Sequence, residues 1–393
     1  MSDEKFRFFV TCPRGTEGAL RKELAAMRIA GAKGDRGGVW FEGPLVMGMR
    51  VCLRARTAVR VLLRLAELDA SDAQRLYEGA RAIEWQRWLT ADSTLAVDAS
   101  VRDNPALTHS GFAALKVKDA VVDVLRDALG ARPDVDTQKP DVSIVLHVAG
   151  RAGALFLDLA GEPLHRRGYR VAMTDAPLKE TLAAAVLSLG GVALDRPFVD
   201  PMGGGGTLAI EHALAARGHA PGLRRRFGFE RWPAFVGDAT TRDAWEALRG
   251  EAEAAALASA RAPLPPIVCA DLSADALGAA RRNASAAGVD DAITFEQADA
   301  TALEKLFDVG TVCTNPPYGE RLQPRDLEAL YRAFGRALMR HTGWSVVVLS
   351  GSPLFSRALP FKPTVSHRLF NGPLEVRLLR YEIPDARPVP GPR

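Results

Sequence analysis

Residues 314–318, Thr-Asn-Pro-Pro-Tyr, close an apolar run in a way that holds one asparagine still. Pro316 and Pro317 donate no backbone hydrogen bond and fix their own φ angles, and a proline biases the residue before it away from helix. Asn315 is therefore expected in a stiff, extended loop after the strand candidate DVGTVCTN. The exocyclic amine of a nucleobase is a poor nucleophile, because its lone pair is delocalised into the ring. The amide oxygen of Asn315 and the fixed carbonyl of Pro316 can accept both amine protons, which localises the lone pair toward an incoming methyl group. Tyr318 can stack on the base. Holding such a constellation ready is where catalysis gains most. The structural alternative is a proline-rich turn with a packed tyrosine.

Upstream, VDPMGGGGTLAIEH begins at the end of another strand candidate. Gly203 to Gly206 let the backbone approach a ligand closely, just before a helix. The stretch is not a GxxxxGK[ST] phosphate loop, because Leu208 follows Thr207 and no lysine is present, and it is not GxGxxG. Asp271 ends the strand candidate PIVCAD, where an acidic residue commonly accepts from ribose hydroxyls; a helix cap accounts for it equally well. Asp299 ends the next candidate and could accept from an adenine amine. With Asp200, three consecutive strands each end in an aspartate along one sheet edge. A ligand with a ribose and an adenine but no phosphate cradle fits this better than NAD or ATP. His109 and His212 have no metal or triad spacing, and Glu211 reads as a helix-surface residue or a local hydrogen-bonding group.

From about residue 171 strand candidates alternate with helices, which argues a parallel doubly wound sheet with ligands at the strand carboxyl ends. Seven strands are expected: RPFVD, PIVCAD, AITFEQAD, VGTVCTN, WSVVVLS, PTVSHRLF and EVRLLRYEI. The last two are joined by a turn at Asn371-Gly372, a strong hairpin signal. Residues 1–67 read β-α-β-β-α-β, a small ferredoxin-like module, with Thr16 as a possible N-cap. Residues 68–165 add a helix, a strand, a long helix at SGFAALKVKDAVVDVLRDAL and a hairpin turning near Gly150 and Gly153. The linker that follows carries Arg166, Arg167 and Arg170.

Composition is that of an ordinary globular chain: 393 residues, 47% hydrophobic, 25% charged, net charge +4. The first 170 residues hold 26 Lys+Arg against 22 Asp+Glu, so the whole excess lies there, a hint of a polyanionic partner that scatter on a solvated surface explains as well. Cys12, Cys52, Cys269 and Cys313 form no CxxC pair, so neither a zinc site nor a disulfide framework is expected. No signal peptide or membrane span is legible, and a reduced cytoplasmic protein without membrane or metal partner is the plain reading.

DPMGGGGT, the aspartates at 271 and 299, and TNPPYGERL resemble the ordered motifs of class I S-adenosylmethionine-dependent methyltransferases acting on exocyclic amines. APLKETLAAA resembles the helix before their first strand, and HSGFAALKVKDAVVD resembles a THUMP domain, an RNA-binding module. HAPGLRRRFGFERWP and NGPLEVRLLRYEI are most similar to the bacterial large-subunit (23S) rRNA guanine-N2 methyltransferases. The similarity spans about residues 5–383.

The resemblance implies an α/β class I (Rossmann-like) methyltransferase domain at 171–385, a ferredoxin-like subdomain at 1–67 and an α+β THUMP module at 68–165. It implies that Asp200, Pro201, Gly204, Gly206, Thr207, Asp271 and Asp299 contact S-adenosylmethionine, and that Asn315, Pro316, Pro317 and Tyr318 hold the guanine. Lys116, Lys118, Arg166, Arg167 and Arg170 are candidate RNA phosphate contacts, with a solvated face as the alternative. The implied reaction is methyl transfer to guanine N2 in 23S rRNA or the assembling large subunit. The same chemistry on tRNA, or an RNA-binding assembly role with secondary or lost activity, are the other readings. The chain departs from the family at Gly203 and Gly205, where cysteine and serine are usual, and at Ser273, where a second acid is common. The glycines lead one to expect a more flexible loop. Some relatives carry a fused second methyltransferase, and the sequence ends before one.

Overall fold

The computed structural model describes residues 4–174, 177–260, 262–318 and 323–384. In chain order the elements are β1 (Phe6–Thr11), α1 (Glu17–Ala26), β2 (Lys33–Asp35), β3 (Gly38–Gly43), α2 (Leu45–Arg54), β4 (Arg60–Asp69), α3 (Ala73–Arg81), β5 (Thr94–Arg102), α4 (Ser110–Leu129), β6 (Asp134–Val135), β7 (Val142–Ala149) and β8 (Ala152–Asp158). There follow α5 (Glu180–Leu189), β9 (Phe198–Asp200), α6 (Thr207–Ala216), α7 (Pro233–Val236), α8 (Ala239–Ser259), β10 (Ile267–Asp271), α9 (Ala274–Ala287), β11 (Ile293–Gln297), β12 (Thr311–Thr314), α10 (Pro324–Leu338), β13 (Ser345–Ser350), β14 (Val365–Asn371) and β15 (Leu374–Glu382).

Two sheets result. The β-α-β-β-α-β order is realised by β1 to β4, but their sheet does not stop there. β4 pairs antiparallel with β8, through a bulge between Arg64 and Ala66, and the sheet runs β2-β3-β1-β4-β8-β7-β5-β6. The first two modules read from the sequence thus share one eight-stranded sheet. The β7–β8 turn is Gly150-Arg151, with Gly150 at φ +58°, and Gly153 lies inside β8. The Thr16 hydroxyl, just before α1, donates to the Pro13 carbonyl at 2.6 Å.

The second sheet has the seven expected strands in the order β11-β10-β9-β12-β13-β15-β14. The first five are parallel; β15 runs antiparallel to β13, and β14 antiparallel to β15. β12 and the inner residues of β13 are wholly buried, which is why they read as continuous apolar runs. β9 leads outward to β10 and β11 on one side, while β12 and β13 lie on the other. The order therefore reverses between β9 and β12, the place where such sheets bind ligands.

The chain forms two compact units that are not contiguous in sequence: 1–11, 24–164 and 225–251 make one, and 12–23, 165–224 and 252–393 the other. Residues 319–322 of the proline-rich motif, Ala176 and residue 385 lie outside the described residues. No described helix is long and apolar enough to cross a membrane.

Candidate active site

A cavity of about 390 Å³ opens at the carboxyl ends of β9, β10 and β12, a volume ordinary for small-molecule sites, which run roughly 300–1,000 Å³. Asp200, Pro201, Gly204, Thr207, Asp271, Asp299, Asn315 and Pro317 line it. Gly206, Pro316 and Tyr318 stand behind the wall.

The glycine loop is tied down rather than loose. Gly203 N–H donates to the Ala270 carbonyl at 2.8 Å and Gly206 N–H to the Gly203 carbonyl at 2.9 Å. Asp271 Oδ2 accepts from Gly204 N–H at 2.8 Å, and its Oδ1 accepts from Ser273 N–H at 2.9 Å. Asp271 therefore aligns the loop as well as facing the cavity. A side chain at Gly203 would place its Cβ 2.4 Å from Cys269 Sγ, so glycine is needed for the close approach. Gly206 takes φ +80° to begin α6. Ser273, at the position of the second acid, caps α9 by accepting from Ala276 N–H at 3.2 Å. Asp299 Oδ1 accepts from Thr301 N–H and Oγ1, both at 2.8 Å.

Asp200 is fully buried between β10 and β12, and burial pushes its carboxyl up to about 7. Thr314 Oγ1 donates to its Oδ1 at 2.7 Å, which opposes the shift without cancelling it. A carboxyl raised in the folded state stabilises the fold where it is protonated. That contribution is full below its ordinary value of 3.8 and is lost as pH rises to about 7. In the ligand-free chain, the stability of wild type relative to Asp200→Asn should fall across that window and stay level above it, as urea unfolding at several pH values would read. A difference that grows with pH would contradict the assignment.

Asn315 follows β12, and its Oδ1 is buried with no hydrogen-bond partner among the described residues. A buried acceptor without a donor is costly and calls for an explanation. The loop behind it is braced at two points. Tyr331 Oη–H donates to the Pro317 carbonyl at 2.7 Å, and Asn371 Nδ2–H donates to Tyr318 Oη at 2.9 Å. The Tyr318 ring packs where Gly351 leaves room: a Cβ there would come within 2.4 Å of it. The Tyr318 hydroxyl and one edge of its ring are thus fixed by the protein.

The structure corrects two of the cationic candidates. The Arg167 side chain is 3% exposed, and its guanidinium is held by Glu211, Nε to Oε1 at 3.1 Å and Nη2 to Oε2 at 3.3 Å. Arg170 is paired with Glu180 at 2.8 Å and donates to Thr207 Oγ1 at 3.1 Å, next to the glycine loop. Arg167 is thus committed to the fold, and Arg170 is tied beside the glycine loop. Arg166 is exposed, Lys118 pairs with Asp119, and Lys116 lies 5.6 Å from the Phe112 ring on α4. His212 is stacked on Phe198 at 4.3 Å, and burial pushes its imidazole down to about 4. No cluster of three or more potential metal ligands occurs among the described residues.

Sequence reading missed Asn283. It is buried on α9, accepts from Val171 and Ala172 N–H at 3.0 and 2.9 Å, and donates to the Ala172 and Gly205 carbonyls at 3.1 Å each. It thus ties the 171–172 segment to the glycine loop. The signal for it was an asparagine in the apolar stripe Ala280, Ala284, Ala287 of α9.

Three family models match successive parts of the chain. Residues 167–380 match the RMKL-like methyltransferase domain, residues 70–158 the THUMP domain and residues 7–62 the RlmL ferredoxin-like domain. The chain belongs to the RMKL-like methyltransferase family. It is 40% identical over 396 aligned positions to a ribosomal RNA large subunit methyltransferase K/L of Syntrophotalea carbinolica, covering 98% of this chain and 55% of that protein. The chain spans about half the length of the curated relatives it matches. Among solved structures, SMU.472 complexed with SAH superposes with a TM-score of 0.87 at 27% identity, covering 99% of this chain and all of that one. A Listeria monocytogenes protein titled as an N6-adenine-specific DNA methylase superposes with a TM-score of 0.85 at 32% identity, covering 97% of each chain. The fold is that of a Rossmann-like methyltransferase with ferredoxin-like and THUMP domains ahead of it.

Proposed function

We propose that the chain transfers a methyl group from S-adenosylmethionine to the exocyclic N2 of a guanine in large-subunit (23S) rRNA. The observation that carries this reading is the buried Asn315 Oδ1, without a hydrogen-bond partner among the described residues, on the wall of a cavity it shares with the glycine loop and three aspartates. The large-subunit rRNA names of the relatives and the SAH in a full-length structural neighbour support substrate and cofactor.

The residues fit the cofactor. Gly203 presents backbone where a Cβ would collide with Cys269 Sγ, Gly204 takes φ +53°, Asp271 and Asp299 stand at the next two strand ends, and Leu272 offers an exposed apolar surface beside them. When bound, the cofactor supplies an electrophilic methyl on a sulfonium. Asn315 Oδ1 accepts an N–H of the target amine and orients its lone pair. Pro317, pinned by Tyr331, holds that oxygen in place. The amine proton released on transfer passes to water. The domains divide as 1–67 and 68–165 for RNA and 171–385 for methyl transfer.

Asp271→Ala removes both the loop anchor at Gly204 and a cavity carboxylate. Calorimetry with S-adenosylhomocysteine should show one site per chain in wild type, weakened by tenfold or more in the variant, since loss of a charged hydrogen bond costs about 1.5–3 kcal/mol. Equal binding by the variant would remove Asp271 from the site. The reaction itself is tested by incubating the chain with large-subunit rRNA and mapping the modified nucleotide by mass. Methyl groups confined to another atom, or to tRNA, would refute guanine N2 of large-subunit rRNA as the substrate.

A further inference from the structure

The β14–β15 hairpin carries a charge arrangement that the fold alone does not justify. Arg368 and Arg377 stand directly opposite each other across the antiparallel pair. Like charges at directly opposed positions destabilise a sheet. Both side chains belong to exposed residues, and Glu375 is the carboxylate that pairs with Arg368. Arg377 has no ion pair among the described residues. A third guanidinium joins them: Arg14, exposed and likewise without a carboxylate partner among the described residues, lies 4.3 Å from the Phe370 ring, and Arg368 lies 5.6 Å from the same ring. The loop that carries Arg14 is fitted to β14, since a Cβ at Gly15 would fall 2.3 Å from the Arg368 carbonyl. Two cations thus lie by one aromatic ring and a third stands opposite one of them, with one carboxylate among them.

Their place in the fold says what they face. Asn371, the residue after Phe370, holds Tyr318 Oη at 2.9 Å, and Tyr318 stands three residues from Asn315. The hairpin that carries the cluster therefore also braces the loop that would receive the target base, through Asn371 on the face of β14 opposite Phe370.

We propose that Arg14, Arg368 and Arg377 form a phosphate subsite that grips the RNA backbone beside the target nucleotide, with Phe370 holding two of the guanidiniums in position. The inference rests on the reading of RNA as substrate. A polyanion removes the repulsion between Arg368 and Arg377, and guanidinium groups match phosphate geometry bidentately. Such a grip keeps an unstacked base at the mouth of the cavity.

The test uses the full chain and a protein-free transcript of large-subunit rRNA, with affinity measured across a salt series. Arg14→Gln/Arg377→Gln spares the Arg368–Glu375 pair. It should lower the salt slope of log affinity by about one for each phosphate no longer neutralised and weaken binding roughly tenfold or more near physiological salt. The Arg14→Lys/Arg377→Lys variant should keep most of the slope. S-adenosylhomocysteine affinity should not change, and Arg377→Gln should leave the melting temperature equal or slightly raised, because it relieves the opposed charges. These readouts do not depend on which atom is methylated. An unchanged affinity and slope in the glutamine variant would overturn the subsite. So would a lowered melting temperature at unchanged slope, which would make the arginines structural.

Discussion

Asn315→Ala is expected to lower the single-turnover rate of methyl transfer by about 10²–10³-fold while leaving S-adenosylhomocysteine affinity near wild type, since removal of one pre-organised polar contact to a reacting centre costs about that much. The expectation follows from what Asn315 lacks. Its Oδ1 is buried without a donor among the described residues, although the loop around it is braced by Tyr331 at the Pro317 carbonyl and by Asn371 at the Tyr318 hydroxyl. A chain that holds a loop at two points and leaves the central acceptor unpaired has built a site for a donor from outside. Asn315→Asp separates acceptor from shape: it keeps an oxygen but adds a charge, and it should retain more activity than alanine. The alanine variant should be no less stable than wild type, because it removes an unsatisfied buried group. Wild-type turnover in Asn315→Ala would reduce the asparagine to a turn-shaping residue.

The stiff turn after β12 was legible because its signal is local. Two prolines, an asparagine and an apolar strand lie within eight residues, and each acts through its own backbone. The strand-end aspartates were legible for a related reason: parallel strands buried on both faces read as unbroken apolar runs, and a polar residue that ends one marks the sheet edge. The β14–β15 hairpin was signalled by Asn371-Gly372, and Gly372 does take φ +62° there. What the turn signal hid is the second task of Asn371, whose side chain reaches Tyr318, 53 residues earlier.

Long-range pairing accounts for most of what stayed hidden. Asn283 reaches carbonyls 111 and 78 residues away, and no window of sequence contains both ends. The same holds for the sharing of one sheet by β4 and β8, and for the grouping of residues 225–251 with the first compact unit. The departure at Gly203 was visible as an odd residue, but its meaning was not. Only the position of Cys269 Sγ, on a neighbouring strand, shows that the loop is filled from below rather than loosened.

The Arg166, Arg167, Arg170 cluster shows how charge in a linker misleads. Spacing alone cannot say which way a side chain turns, and Arg167 turns inward to a glutamate 44 residues on. Glu211→Ala should therefore destabilise the chain strongly. It takes away the carboxylate to which the buried Arg167 guanidinium donates and also removes the acceptor of Tyr169 Oη, which donates to Glu211 Oε1 at 3.0 Å. Breaking a buried pair by deleting one partner costs about 3–5 kcal/mol, a fall in melting temperature on the order of 10 °C for a unit of this size. Replacing all three polar groups, as Arg167→Met/Tyr169→Phe/Glu211→Leu, should recover much of that loss, because well-packed apolar residues of similar volume often match or exceed a buried ion pair. Thermal and urea unfolding of the single and triple variants make the comparison. A melting temperature within a degree or two of wild type in Glu211→Ala would show that the pair is not structural. A selective loss of rRNA affinity in the triple variant, at wild-type stability, would return Arg167 to the RNA-contacting surface.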